Sequence, residues 1–381
     1  MDTLEELAEI SRFYGANPEY VLAGGGNTSW KDKDTLFVKS SGLSLAQAVP
    51  DSFVKMDRKN LAIILKKTYP QADSGDSFGS LREKEVLADL LAARKPGEEH
   101  KRPSVEALLH DILPFAFVVH LHPALVNALT CSQRGEAAMR EIFGADVIWI
   151  PSANPGYTLS IMVKTAMDEY GKKYGKPASV IFLQNHGIFV GADSIEGVKK
   201  QYGEIMNKIG GKITRKPDFS GVAIESVSAA SGTAGEIAQT IAELSGDAVV
   251  FMSGGEIPAL VENRASFKPV SGAFTPDHIV YAGSDPLFAE ARTAAGFREA
   301  WNNHLKKTGR KPKIAAVQGL GVFGLGSAEK AARIALDLFQ DTIKIAICSE
   351  SFGGPLFMAQ DKIDFINNWE AERFRSGVST K

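Results

Sequence analysis

Apolar residues recur along this chain with two periods, and segments of the two kinds alternate. Leu4, Leu7 and Ala8 stand at helical spacing and predict a first helix ending near Gly15. The glycine-rich AGGGNTSW then reads as a turn, and DTLFVKSSG as a strand entering a second polar turn. LREKEVLADLLAAR has the pattern of an amphipathic helix. SVEALLHDIL follows as another, with Ser104 after Pro103 as its N-cap. The runs FAFVVHL, ADVIWIP and SVIFLQ predict strands, and GIFVGADS leads into the helix SIEGVKKQYGEIMNKI. Alternating strands and helices place the chain in the α/β or α+β class.

The second half echoes the first. QNHGIFVGADSIEGVKK from Gln184 matches QGLGVFGLGSAEKAARI from Gln318, a displacement of 134 residues. KKYGKP from Lys172 meets KKTGRKP from Lys306 at the same displacement. VIWIPSANP from Val147 pairs with HIVYAGSDP from His278, and HPALVN from His122 with IPALVEN from Ile257. Matched blocks in constant order indicate a tandem duplication. The boundary is expected in the polar stretch between Lys216 and Ser228, giving a first domain over residues 1–215 and a second over 222–381.

Candidate chemistry sits in the first half alone. The chain has 7 histidines, and His120, His122 and His186 stand at the ends of apolar runs. In His-x-His on a strand, both side chains point to one face. A third imidazole after a separate strand completes a facial three-nitrogen set, the pattern of catalytic zinc with an open position. In the second half Leu320 replaces His186, and FMSGGEIP offers no histidine. The second domain is therefore expected to lack metal ligands.

Three polar loops have anion-binding chemistry: GGGNTSW with Asn27, KSSGLS with Ser41 and Gly42, and RPSVE with Ser104. Glycine admits close backbone approach, and clustered N–H groups can form an anion nest. GLGVFGLG carries Gly319, Gly321 and Gly324 in the G-x-G-x-x-G pattern. It is too close to the end of the chain to open a dinucleotide-binding fold, and the repeat already accounts for it. Glu106 opens the helix that runs into the histidine strand, where a carboxylate near a metal can act as a general acid/base.

Composition narrows the class further. The 381 residues are 44% apolar with a net charge of −2, so a sizeable core is expected and nucleic acid is not the expected partner. The 2 cysteines, Cys131 and Cys348, do not make a disulfide framework. The acidic N-terminus is unlike a signal peptide and no apolar run is long enough to span a bilayer, so a cytoplasmic protein without membrane contact is expected.

GGGNTSW, KSSG, PSVE, VVHLHP and QNHG occur in the order and approximate spacing of the class II aldolase/adducin family. Roughly residues 1 to 215 resemble it. The likeness is nearest to fuculose- and rhamnulose-1-phosphate aldolases, and above all to the aldolase part of bifunctional rhamnulose-1-phosphate aldolase/lactaldehyde dehydrogenases. The resemblance implies a three-layer α/β/α fold around a mostly antiparallel sheet. It implies one zinc ion per chain on His120, His122 and His186, with Glu106 as the acid/base. Asn27, Ser41, Gly42 and Ser104 would hold a substrate phosphate. The implied reaction is zinc-dependent cleavage of a phosphorylated ketose, such as a deoxyketose 1-phosphate, to dihydroxyacetone phosphate and an aldehyde. A pentulose-phosphate 4-epimerase, a dehydratase or a non-catalytic adducin-like module would share the scaffold. Val105 departs from the family pattern, which has a second serine there. The family's four-fold rings imply a homo-oligomer, here a dimer whose paired domains build a pseudo-four-fold ring.

Overall fold

Antiparallel pairing around one central strand organises the first half of the chain. The computed structural model describes residues 3–70, 80–226 and 231–379. Ser228, at the expected domain boundary, lies outside the described residues. The chain forms two units, Met1–Lys212 with Ala359–Ser379, and Ile213–Met358.

In the first unit, β1 (Asn27–Lys31), β2 (Thr35–Lys39), β3 (Phe53–Asp57), β4 (Phe117–Leu121), β5 (Ile148–Ile150), β6 (Val180–Leu183) and β7 (Gly187–Ala192) make one sheet. Its order is β3-β2-β1-β4-β7-β6-β5. Every neighbouring pair is antiparallel except β5 and β6, which run parallel at the edge. The sheet is thus mixed. The helix Tyr157–Tyr174 lies between those two strands and carries the chain back, as a parallel crossover requires.

Both faces of β4 are sealed. Val118 and His120 on one face and Val119 and Leu121 on the other are each 0% exposed. Helices Ala107–Ile112 and Tyr157–Tyr174 supply Leu109, Leu159, Val163 and Met167 to the core that holds Val118 and Phe189. Helix Ile195–Gly210 packs on β4 and β7, where Tyr202 donates its hydroxyl to the Val119 carbonyl at 3.0 Å. This is the expected three-layer arrangement.

Two local expectations change. NTSW, read as part of a turn, belongs to strand β1. Its polar side chains are buried because they find partners on helices Thr3–Gly15 and Ala107–Ile112, information that period alone does not carry. Ser104 is not the N-cap of that helix. Glu106 is the cap residue, while Ser104 lies upstream and its Oγ accepts from the Glu106 N–H at 3.2 Å.

The second unit holds β8 (Ala223–Ser226), β9 (Ala248–Ser253), β10 (Leu287–Ala289), β11 (Ile314–Val317) and β12 (Gly321–Gly326), ordered β10-β11-β12-β9-β8. The β10–β11 pair is parallel and the others antiparallel, the same order and directions as β5-β6-β7-β4-β1. Details repeat as well. The Gln184 N–H donates to the Ile150 carbonyl at 3.0 Å, and Gln318 to that of Ala289 at 2.9 Å. Asn185 and Gly319, the next residues, have φ of 56° and 59°.

The structure corrects one aligned block. Ile148 and Leu287 occupy equivalent places, opposite Ile181 and Ala315, so LFA is the counterpart of IWI. HIVYA, matched to VIWIP by sequence, is instead a π-helical turn at His278–Ala282. The end of the second domain also moves. Residues 359–379 belong with the first unit, tied by two hydrogen bonds from Arg102 to the Glu370 carboxylate at 3.0 and 2.6 Å. Among the described residues no helix is long and apolar enough to cross a membrane.

Helices Tyr157–Tyr174 and Ala294–Thr308 both end on a left-handed glycine, Gly175 at φ 69° and Gly309 at φ 68°. A Cβ at either would meet nothing within 4 Å, so alanine there costs backbone strain alone. Gly175→Ala and Gly309→Ala are each expected to destabilise by roughly 1–2 kcal/mol. Urea denaturation of the two variants measures this, and unchanged midpoints for both would contradict it.

Candidate functional site

The pairing of β4 with β1 and β7 brings distant residues side by side. His120 stands opposite Asn27 on one flank and Phe189 on the other. Its ring stacks on Phe189 with centroids 4.0 Å apart. His122 follows β4 immediately, and His186 occupies the turn between β6 and β7. The ligand atoms of His120, His122 and His186 all lie within 4.8 Å of one another, and all three residues are buried.

Glycines make this convergence possible. A Cβ on Gly26 would sit 2.9 Å from the His120 carbonyl. One on Gly187 would sit 2.7 Å from His122 Cδ2 and 2.5 Å from the Leu121 carbonyl. The glycine after His186 is therefore what lets the His122 ring reach its neighbours.

The donor set suits a cation. His120 Nδ1 lies 3.0 Å from the Ile188 carbonyl, which fixes the proton there and aims the Nε2 lone pair into the cluster. His120 Nε2 and His122 Nε2 are 2.9 Å apart. Converging imidazole lone pairs in a buried place are satisfied by a shared positive charge, and three such nitrogens with an open fourth direction fit a catalytic divalent metal.

Glu106 faces the same point. Its Oε2 is 3.4 Å from His120 Nε2, and its Oε1 is 3.5 Å from His186 Nε2. The side chain is buried, so the solvated first-turn glutamate, the simpler possibility for its position, does not apply. Oε1 makes no hydrogen bond, a costly arrangement for a buried carboxylate unless a ligand or metal completes it.

Two of the three polar loops meet at this carboxylate, and the third is joined to them through the segment before Ser104. Asn27 Nδ2 donates to Glu106 Oε2 at 2.7 Å and to Ser104 Oγ at 3.2 Å. Ser40 forms a β-bridge with Pro103, and the Ser41 N–H donates to the Arg102 carbonyl at 2.8 Å. That joins the Ser41–Gly42 turn to the Ser104 segment, with Gly42 at φ 86°.

Sequence reading missed His110, which stands behind Glu106 on helix Ala107–Ile112. Its Nε2 meets Asn27 Oδ1, and its Nδ1 lies 2.7 Å from Ser29 Oγ. Burial, together with the charges of His120 and Lys31, holds its pKa well below the usual histidine range. The available signal was its place four residues after Glu106, on the same helix face. Lys31 donates to the His110 carbonyl at 2.6 Å, and burial pushes its ammonium down to about 7 despite Asp111 nearby.

The equivalent place in the second unit holds no histidine. Phe251 pairs with Phe323 on β9 and β12 as His120 pairs with Phe189. Ser253 then takes the place of His122, and Leu320 that of His186.

Comparison with known proteins bears on the same region. The family model of the class II aldolase and adducin N-terminal domain matches residues 5–207. A Bacillus subtilis protein described as the uncharacterized oxidoreductase YuxG is 21% identical over 423 aligned residues, covering 98% of this chain. The chain spans 58% of that relative's length. The N-terminal class II aldolase domain of a conserved Thermoplasma acidophilum protein is 25% identical, covering 55% of this chain and 93% of that one, with a TM-score of 0.45. An L-fuculose-1-phosphate aldolase from Thermus thermophilus is 16% identical, covering 54% and 88%, with a TM-score of 0.33.

Among the described residues one such three-histidine cluster is present, and it sets the expected metal content. Elemental analysis should find about one divalent ion per chain, lost in His122→Ala and in Gly187→Ala but kept in Leu320→Ala. Two ions per chain, or a fully loaded His122→Ala, would contradict the assignment.

Proposed function

Because the chain belongs to the class II aldolase and adducin family, we propose that it is a divalent-metal-dependent aldolase, zinc being the first choice, cleaving a phosphorylated ketose to dihydroxyacetone phosphate and an aldehyde. The observation that carries this reading is the convergence of three buried imidazoles with the Glu106 carboxylate 3.4 and 3.5 Å from two of them. A metal on His120, His122 and His186 would supply an electrophile for the ketone and its neighbouring hydroxyl, lowering the cost of negative charge there.

The chain's own residues would do the rest. Glu106 would take and return the proton on the carbon next to the carbonyl, using the oxygen that makes no hydrogen bond. Sealing of the sheet around β4 excludes water and strengthens these charge interactions. Asn27, Ser41, Gly42 and Ser104 would hold the phosphate, so binding energy far from the reacting bond sets the register. Both Asn27 N–H groups are already engaged, and the longer contact, to Ser104, is the one a phosphate oxygen would replace. The second unit, without ligands at Phe251, Ser253 and Leu320, is read as a degenerate copy that contributes no metal. The family's assembly suggests a homo-oligomer, which light scattering on the full chain tests. Epimerisation and dehydration of related sugar phosphates would use the same scaffold and are separated by product.

Product analysis on a panel of ketose 1-phosphates and 5-phosphates tests the reaction. Carbon–carbon cleavage to dihydroxyacetone phosphate is expected, while C4 epimers or loss of water would select the alternatives. Glu106→Gln should keep its metal and lower turnover by roughly 10²–10⁴-fold. A variant with wild-type turnover would remove Glu106 from the mechanism. Inorganic phosphate should raise the thermal midpoint, with saturation at about 100 Kd adding about 2.7 kcal/mol. Asn27→Ala should weaken that protection, and equal protection by unphosphorylated sugars would reject the phosphate assignment.

A further inference from the structure

Glu106 is backed by a hydrogen-bonded chain that runs through Asn27 to Ser29, Lys31 and His110, the last three of which have no part in the proposed reaction. Asn27, Ser29 and Lys31 alternate on β1 and so share one face. All three reach His110: Asn27 Oδ1 meets Nε2, Ser29 Oγ lies 2.7 Å from Nδ1, and Lys31 Nζ donates to the carbonyl at 2.6 Å. At its other end the Asn27 carboxamide meets Glu106 Oε2 at 2.7 Å.

A carboxamide has the same shape either way round, so its neighbours decide which end is which. Two arrangements are self-consistent. In the first, Ser29 donates to Nδ1, the Nε2–H of His110 donates to Asn27 Oδ1, and Asn27 donates to Glu106. In the second every bond reverses: Nδ1 carries the proton, Asn27 donates to Nε2, and the Asn27 carbonyl faces Glu106. The second needs a protonated Glu106, because an ionised carboxylate only accepts. The Val118 backbone also acts on the His110 ring and favours its protonation, so it is the group that competes for the ring proton. A charge-assisted bond at the carboxylate outweighs a neutral one at the ring.

We infer that His110 is a positioning residue, which holds the Asn27 carboxamide with its N–H₂ end on Glu106 and so leaves Oε1 as the oxygen that carries the proton. The inference rests on Glu106 being the acid/base. His110 itself is fully buried and touches neither the metal ligands' converging atoms nor the place of the substrate. Its effect passes through Asn27.

The test has two independent arms. Long-range proton–nitrogen correlation spectra of the ¹⁵N-histidine-labelled full chain read the His110 tautomer, assigned by its loss in His110→Gln. A neutral ring with its proton on Nε2 is expected between pH 6 and pH 9, and a proton on Nδ1 alone would overturn the proposal, whatever the reaction. The second arm follows deuterium exchange into dihydroxyacetone phosphate in D₂O. His110→Phe fills the volume but removes the donor. It should keep its metal and its far-UV spectrum, and lose about 10–100-fold in kcat with little change in KM. His110→Gln, which keeps an N–H for Asn27 Oδ1, should recover most of that loss. Wild-type exchange by His110→Phe, or equal losses in both variants, would overturn the positioning role. A wild-type chain that exchanges no deuterium would instead count against the aldolase reading, and the tautomer would still decide the role of His110.

Discussion

The register of β4 against its two neighbours is the constraint on which the site depends. It sets Asn27, His120 and Phe189 in one row across three strands. A slip of one residue would turn every side chain of β4 to the opposite face, taking His120 away from Glu106. The three histidines come from two separate stretches of chain, so strand pairing is what brings them together. A slip would also break polar contacts that this register makes, among them His120 Nδ1 with the Ile188 carbonyl and the Tyr202 hydroxyl with the Val119 carbonyl.

That constraint accounts for the polar residues in the core. A buried sheet of this kind usually reads as a continuous apolar run. Here β1 contributes Asn27, Ser29 and Lys31, and each has a partner on the helix that follows Glu106. A network with every member satisfied rigidifies its surroundings, whereas a partly satisfied one is costly. The exception is Glu106 Oε1, which makes no hydrogen bond and faces the histidines. Unsatisfied polarity in this network is thus confined to the point where chemistry is proposed.

The second unit shows what the fold requires when the site is removed. Strand order, strand directions, the left-handed glycines and the bonds of the turn after β11 are all retained. Phe251 and Leu320 take the places of His120 and His186. Apolar side chains fill the same volume without desolvating a polar group, so the scaffold stands without the imidazoles. In the first unit the histidines are therefore not explained by the needs of the fold.

The sequence by itself determined the class of fold and the alternation of its elements, and it singled out the repeated blocks and the three histidines. These follow from local period and from residue types that few other chemistries place together. It also marked Glu106 by its place at the start of a helix. It misread NTSW as a turn, since a polar strand carries no period-2 apolar signal, and only His110 and the neighbouring strands make it one. HIVYA looked like a strand because it is apolar, but the tertiary context gave it a π-helical turn and used LFA at the sheet edge. The attachment of residues 359–379 to the first unit lay beyond local reading too, because it rests on Arg102 and Glu370, far apart in the chain. Local pattern fixes which residues can be buried. Only the folded chain decides which of them meet, because pairing across strands depends on contacts that no local window contains.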